Sequence, residues 1–293
     1  MSKVELRENI KSIIKAELSV LIDRISEDFK KNYKRKVNNW TLADFNSVLV
    51  AHMVFVSSFE SKSGNMFQKI AKDIAKLKYG EDNVPLVIQG KGVTSKEFEE
   101  LIKGHHGKEQ VILTKVDQSD CQSFITSFRE KYKSSGRGTD RVASILNQKM
   151  LNEINKQKFK ETKTITSKPV DLAIYDPKNN TYYLIEIKAG GDLDSSNAPG
   201  NVMKMLTEYA IFGKDNVNLY FATLYNKNGE GKTWTGLIKK YFSNELLLIG
   251  KDFWNLVLPS EISFDELGKI YNEATKELGI NEKIDNLIKE VKN

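Results

Sequence analysis

The segment that most constrains this chain is Thr181-Tyr182-Tyr183-Leu184-Ile185-Glu186-Ile187-Lys188-Ala189. Its β-branched and aromatic content favours an extended strand, whose successive side chains point to opposite faces. Ile185 and Ile187 then share one buried face, while Glu186 and Lys188 share the other. Upstream, Pro169 to Tyr175 is a second β-like run, and Asp176-Pro177-Lys178-Asn179-Asn180 between the two is a turn sequence, so the pair predicts a hairpin. That hairpin brings Asp171 beside Glu186. Two carboxylates and an ammonium therefore converge at the edge of an apolar sheet, where charges are costly unless they pair or bind something.

Around the hairpin the pattern changes twice. Val4, Ile10, Ile13, Ile14, Leu18, Leu21, Ile22 and Ile25 recur at helical steps and predict one amphipathic helix over the first 36 residues, with a core or dimer face. A second helix is expected from a Thr41 cap to about Ser57, and a third from Met66 to Lys78, opened by Ser63-Gly64-Asn65. Short strands at Val84–Ile88 and Gln110–Val116 with a helix at 95–103 follow. Two more helices, about 119–133 and 139–156, flank the loop Ser134-Ser135-Gly136-Arg137-Gly138, a candidate ligand-facing connection. After the hairpin come a polar loop (192–201), a helix over 202–212, a β-like run at 217–225 and a mainly helical last seventy residues. The fold class is α/β, a mixed central sheet flanked by helices with helical N- and C-terminal additions. Residues 1–293 read as a single domain: 1–80 helical, 81–225 α/β, 226–293 mainly helical.

The chemistry fits the expected geometry. Asp171, Glu186 and the backbone carbonyl of Ile187 offer hard oxygen ligands for Mg²⁺. Lys188 can orient or help deprotonate an attacking water, and phosphodiester hydrolysis needs that combination. The alternative is a structural ion pair between Lys188 and the acids. Glu-x-Lys alone decides nothing, because it also occurs at Glu60, Glu161, Glu230 and Glu290 in polar, loop or helical surroundings. Only Glu186 stands in an apolar strand that follows a Pro-x-Asp strand.

On Pro169-Val170-Asp171 and Glu186-Ile187-Lys188 the chain resembles the PD-(D/E)XK nuclease superfamily, with one extra residue between the proline and the aspartate. The order helix, strand meander, helix, strand over 139–225 resembles that superfamily's core, a third of the chain, although a third meander strand is not evident. The size and the lack of a Gly-x-x-x-x-Gly-Lys-Ser/Thr stretch make the whole most similar to a type II restriction endonuclease, with some likeness to enzymes cutting interrupted GG-N-CC sites. The resemblance implies Mg²⁺-dependent cleavage of double-stranded DNA at a specific short sequence, leaving a 5′-phosphate and a 3′-hydroxyl. It also implies a homodimer and a cognate DNA methyltransferase in the same system. A structure-selective or repair nuclease, or a non-catalytic DNA-binding module, is the alternative reading.

The resemblance further suggests an accessory acid near an early helix, with Glu60 (placed before the helix start) or Gln68 as candidates against surface or capping roles. Arg137 and Arg141 suit guanine edges and phosphates, unless they pair with acids on their own helix. Asp192 and Asp194 are candidates for reading cytosine amino groups or holding a second metal, and Asn197 is a further DNA-contact candidate; acidic turn residues are commoner. His105-His106 lacks a third ligand and reads as a turn, and Cys121 reads as buried packing. That single cysteine excludes a disulfide framework or a multi-cysteine metal site. The start carries charges where a secretory signal needs an apolar run, and the stretch Val48–Val56 is too short to span a bilayer, which needs about 20 residues. The expectation is a soluble, cytoplasmic protein with no membrane contact. The 45 Lys+Arg against 39 Asp+Glu, net +6, are compatible with a polyanionic partner without demanding one.

Overall fold

The computed structural model describes residues 1–293 except 43, 108, 132–144, 168–170, 194 and 292–293. The expected loop at 134–138 lies outside the described residues. The chain divides into two compact units: Met1–Lys78 with Val257–Asn293, and Tyr79–Leu256.

The first unit is helical. Helix α1, Lys3–Val37, starts with a capping box between Ser2 and Glu5. It buries Leu6, Ile10, Ile14, Leu18, Leu21, Ile22, Ile25 and Phe29, so the expected stripe is core; Val4 stays exposed. Helices α8 (Phe264–Glu277) and α9 (Ile280–Glu290) join it through Lys3–Glu266 (2.9 Å), Lys15–Glu277 (2.8 Å) and Lys30–Glu290 (3.2 Å).

The two helices expected next are one: α2 runs unbroken from Ser47 to Tyr79. Thr41 caps nothing there and sits in a short 3₁₀ turn, Trp40–Leu42. The buried stripe explains the fusion, since Val50, Val54 and Ser58 continue at helical spacing to Met66, Ile70 and Ile74. Ser61 and Ser63 return their hydroxyls to the carbonyls of Ser58 (3.1 Å) and Glu60 (3.4 Å), and Gly64 in mid-helix costs only about 1 kcal/mol.

The second unit is α/β, with the strands in two mixed sheets. In one, β1 (Val87–Gln89) pairs parallel with β2 (Val111–Val116), and β2 antiparallel with β3 (Glu161–Thr166). The other has the order β4 (Leu172–Asp176), β5 (Thr181–Lys188), β6 (Val217–Thr223), β7 (Leu247–Ile249), with β4–β5 antiparallel and the rest parallel. Helices α3 (Ser95–Ile102), α4 (Gln118–Lys131), α5 (Gln148–Asn155), α6 (Ala198–Phe212) and α7 (Lys251–Val257) accompany them. A mixed α/β architecture is thus observed.

Two local expectations need correction, and one strand was not expected. Helix α5 starts at Gln148, because Asn147 caps it by accepting from the Met150 N–H, and Leu146 is spent on a bridge to Phe242. Strand β3, Glu-Thr-Lys-Thr-Ile-Thr, is mostly exposed and so lacks the apolar run that signals a strand. Strand β7 lies in the region expected to be mainly helical; its three residues give no periodicity.

Gln110 joins the two sheets. Its buried side-chain amide accepts from Ala173 N–H (2.8 Å) and donates to Ala173 C=O (3.0 Å) and Pro85 C=O (2.6 Å). One amide side chain therefore stands in for a strand neighbour along the outer edge of β4. Gln110→Leu orphans these backbone groups, and the expected loss is about 3 kcal/mol in urea unfolding, with the m-value unchanged.

Candidate active site

Register puts the acids together. Leu172 opposes Ile185 in the β4–β5 ladder, so Asp171, one residue before β4, falls beside the end of β5. Asp171 Oδ2 accepts the Ile187 N–H at 2.9 Å. Glu186 is 2% exposed, and Lys188 Nζ donates to its Oε1 at 2.7 Å. The predicted convergence of Asp171, Glu186 and Lys188 is present. The preceding Pro169 and Val170 lie outside the described residues.

A second cation closes the cluster. Lys204 Nζ, from α6, lies 2.7 Å from Glu186 Oε2, 3.5 Å from Asp171 Oδ1 and 3.7 Å from Glu208 Oε1. Sequence reading missed both Lys204 and Glu208. The available signal was that they are the only charged residues of α6, one turn apart on a helix whose other C-terminal positions, Met205 to Phe212, are all buried.

The electrostatics follow from burial. Burial, with Glu186 beside it, pushes the Asp171 carboxyl up to about 7, although Lys204 and the Ile187 N–H pull the other way. Burial also acts to raise Glu186, but Lys188 and Lys204 outweigh it and hold that carboxyl below its ordinary value. Burial lowers and the three surrounding carboxylates raise Lys204; the carboxylates win. Two neighbouring acids pushed in opposite directions mark a site built for charge.

The donor set fits a hard cation. Asp171 Oδ1 and Glu186 Oε2 already reach one ammonium, so the acids converge on a positively charged point. The Lys188 carbonyl accepts from Leu224 N–H on the β6 side. Strand alternation therefore turns the Ile187 peptide toward Asp171, where its N–H is bound. No group of three or more His, Cys, Asp and Glu side chains suited to a metal occurs among the described residues. Mg²⁺ needs no such cage, because it keeps several waters and takes one or two carboxylates.

The other candidates are placed as follows. Glu60 is exposed and Gln68 half-buried on α2, both in the helical unit, and Glu60 is inside the helix rather than before it. Among the described residues, Glu208 is a further acid reaching the cluster, 3.7 Å from Lys204 Nζ. Asp192 binds Lys227 Nζ (2.5 Å) and the backbone N–H groups of Leu193 (2.8 Å) and Leu237 (2.8 Å), an arrangement that fastens the loop after β5. Asn197 precedes α6, its carbonyl accepting the Asn201 N–H at 3.0 Å. Arg137, Arg141 and Asp194 lie outside the described residues. His105 and His106 lie in the non-helical stretch after α3, and Cys121 is buried in the core.

A mixed sheet carrying Asp, Glu and Lys at one strand end is consistent with the PD-(D/E)XK nucleases. A family model described as the type II restriction endonuclease HinfI matches residues 5–275. The chain belongs to the HinfI type II restriction endonuclease family and is a site-specific endonuclease, a hydrolase whose substrate is double-stranded DNA. No curated protein matches it. Among the described residues no helix is long and apolar enough to cross a membrane.

Proposed function

We propose that the chain cuts double-stranded DNA at a specific short sequence in a Mg²⁺-dependent reaction, leaving a 5′-phosphate and a 3′-hydroxyl. The observation that carries this reading is the Asp171–Glu186 pair, Glu186 buried and Asp171 partly so, with the partly exposed Lys188 donating to Glu186. Asp171, Glu186 and the Ile187 carbonyl would hold the metal. Bound there, Mg²⁺ supplies charge neutralisation at the scissile phosphate and acidifies a coordinated water. The Ile187 N–H fixes the rotation of the Asp171 carboxylate. Lys188, on the same face as Glu186 and partly exposed, orients the attacking water and offsets charge near it. Lys204, which reaches both Asp171 Oδ1 and Glu186 Oε2, neutralises the acid pair. Cleavage of a palindrome calls for a homodimer, since protein symmetry mirrors site symmetry, and a cognate methyltransferase would protect host DNA in the cytoplasm.

The test is a digest of phage DNA with Mg²⁺ or with EDTA, followed by run-off sequencing and end-labelling. Discrete fragments with labelled 3′-hydroxyl ends, formed only with the metal, are expected. Fragments without fixed sequence, or cutting in EDTA, contradict the reading.

A further inference from the structure

The helical unit contains a cleft of about 290 Å³ between the C-terminal part of α1 and the middle of α2. Arg35 and Lys36 from α1 and Lys62 from α2 line it, with the hydroxyls of Ser57 and Ser61 and the amide of Asn32; none of its lining side chains is a carboxylate. Lys62 is held in place by the Arg24 carbonyl (2.9 Å) and Asp28 (2.8 Å). Among the described residues, no carboxylate lies within 4.0 Å of a charged nitrogen of Lys31, Lys34, Arg35 or Lys36. Part of this positive charge complements the C-terminal end of the α1 dipole. That function needs one or two cations in the last turn, whereas Lys30, Lys31, Lys34, Arg35 and Lys36 crowd seven positions.

We infer that this cleft is a binding site for the phosphate backbone of DNA, a contact that rests on the DNA substrate proposed above. Arg35 and Lys36, with the hydroxyls, an amide and the Asp28-paired Lys62 beside them, make an anion site, and an arginine fork suits a phosphate. Two features favour a polymer over a free anion. Arg35, Asn39, Ser57 and Ser61 are exposed, so the cleft is open where a strand would enter and leave. Exposed Lys31 and Lys34 carry the charge beyond it along α1. Residues 30–36 span about 9 Å of helix, enough to meet two or three successive phosphates at about 3.4 Å of axis each. Next to Asn39, Trp40 is 85% exposed, an aromatic surface beside a basic track of the kind nucleic acids pack against.

Trp40 also supplies the readout, because Trp234 and Trp254 are buried at 4% and 5% exposure. Binding of a duplex in EDTA is measured by anisotropy against KCl concentration, and by Trp40 emission. The double variant Arg35→Gln/Lys36→Gln should bind about tenfold more weakly, with the log–log salt slope reduced by about 1.8. The control Lys3→Gln, whose lysine pairs with Glu266, should keep the wild-type slope. Duplex should change Trp40 emission where inorganic phosphate at equal phosphate concentration does not. An equal loss in the Lys3 variant, or an equal response to inorganic phosphate, overturns the inference. If wild type cuts at fixed sites and the double variant keeps the wild-type salt slope, the inference fails and the proposed function stands. If wild type neither binds nor cuts DNA, both fail.

Discussion

Asp171→Asn should lower cleavage by about 10³-fold and, in metal-free protein at pH 8, raise thermal stability. The activity loss follows from removing one of two metal-holding carboxylates at constant volume. The stability gain follows from the carboxyl's position at about 7, above its ordinary 3.8. Between those pH values the folded state holds a proton that the unfolded state has released, so stability falls as pH rises through this window and stays low above it. Asparagine has no charge to desolvate, so the variant's advantage is absent near pH 3.8 and complete by pH 8, where it is on the order of 4 kcal/mol. Melting curves from pH 4 to 8 in EDTA, run beside cleavage assays, measure both effects. A variant that loses activity because it is misfolded would show the opposite stability change.

Lys204→Met should do the reverse to the fold. It removes the ammonium shared by Asp171, Glu186 and Glu208 and leaves Glu186 with Lys188 alone. Stripping one partner from a buried charge cluster costs about 3–5 kcal/mol. The loss should be greater at pH 8 than at pH 5, where Asp171 is protonated. Excess Mg²⁺ should then raise the melting temperature of the variant more than that of wild type, because a divalent cation takes over the neutralisation that Lys204 provides. An equal Mg²⁺ shift in both proteins would mean that Lys204 and the metal do not share the acid pair.

The site was largely legible because strand alternation is rigid. Once Thr181 to Ala189 is a strand, Glu186 and Lys188 must share a face, and the turn at Asp176–Asn180 fixes Asp171 opposite. Lys204 and Glu208 were hidden because they come from a helix sixteen and twenty residues beyond Lys188, and no local pattern says which face of that helix packs on the sheet. The fold read similarly. Helix α1 was visible in its long apolar stripe, whereas α2 was cut in two because serine and glycine read as breakers where the stripe continues through Ser58 and Ser63. Strands β3 and β7 escaped because one is polar and the other three residues long, and pairing with a neighbour defines them more than composition does. The amide bridge from Gln110 to Ala173 spans 63 positions and has no sequence signature.

The central claim is that Asp171, Glu186 and Lys188 together carry out metal-dependent hydrolysis. Its most direct test is the single-turnover cleavage rate of Lys188→Ala against wild type, at saturating duplex and Mg²⁺ and with folding verified by matched melting curves. A rate lower by about 10³-fold with DNA binding retained is the predicted result. Cleavage at the wild-type rate into the same fragments would contradict it.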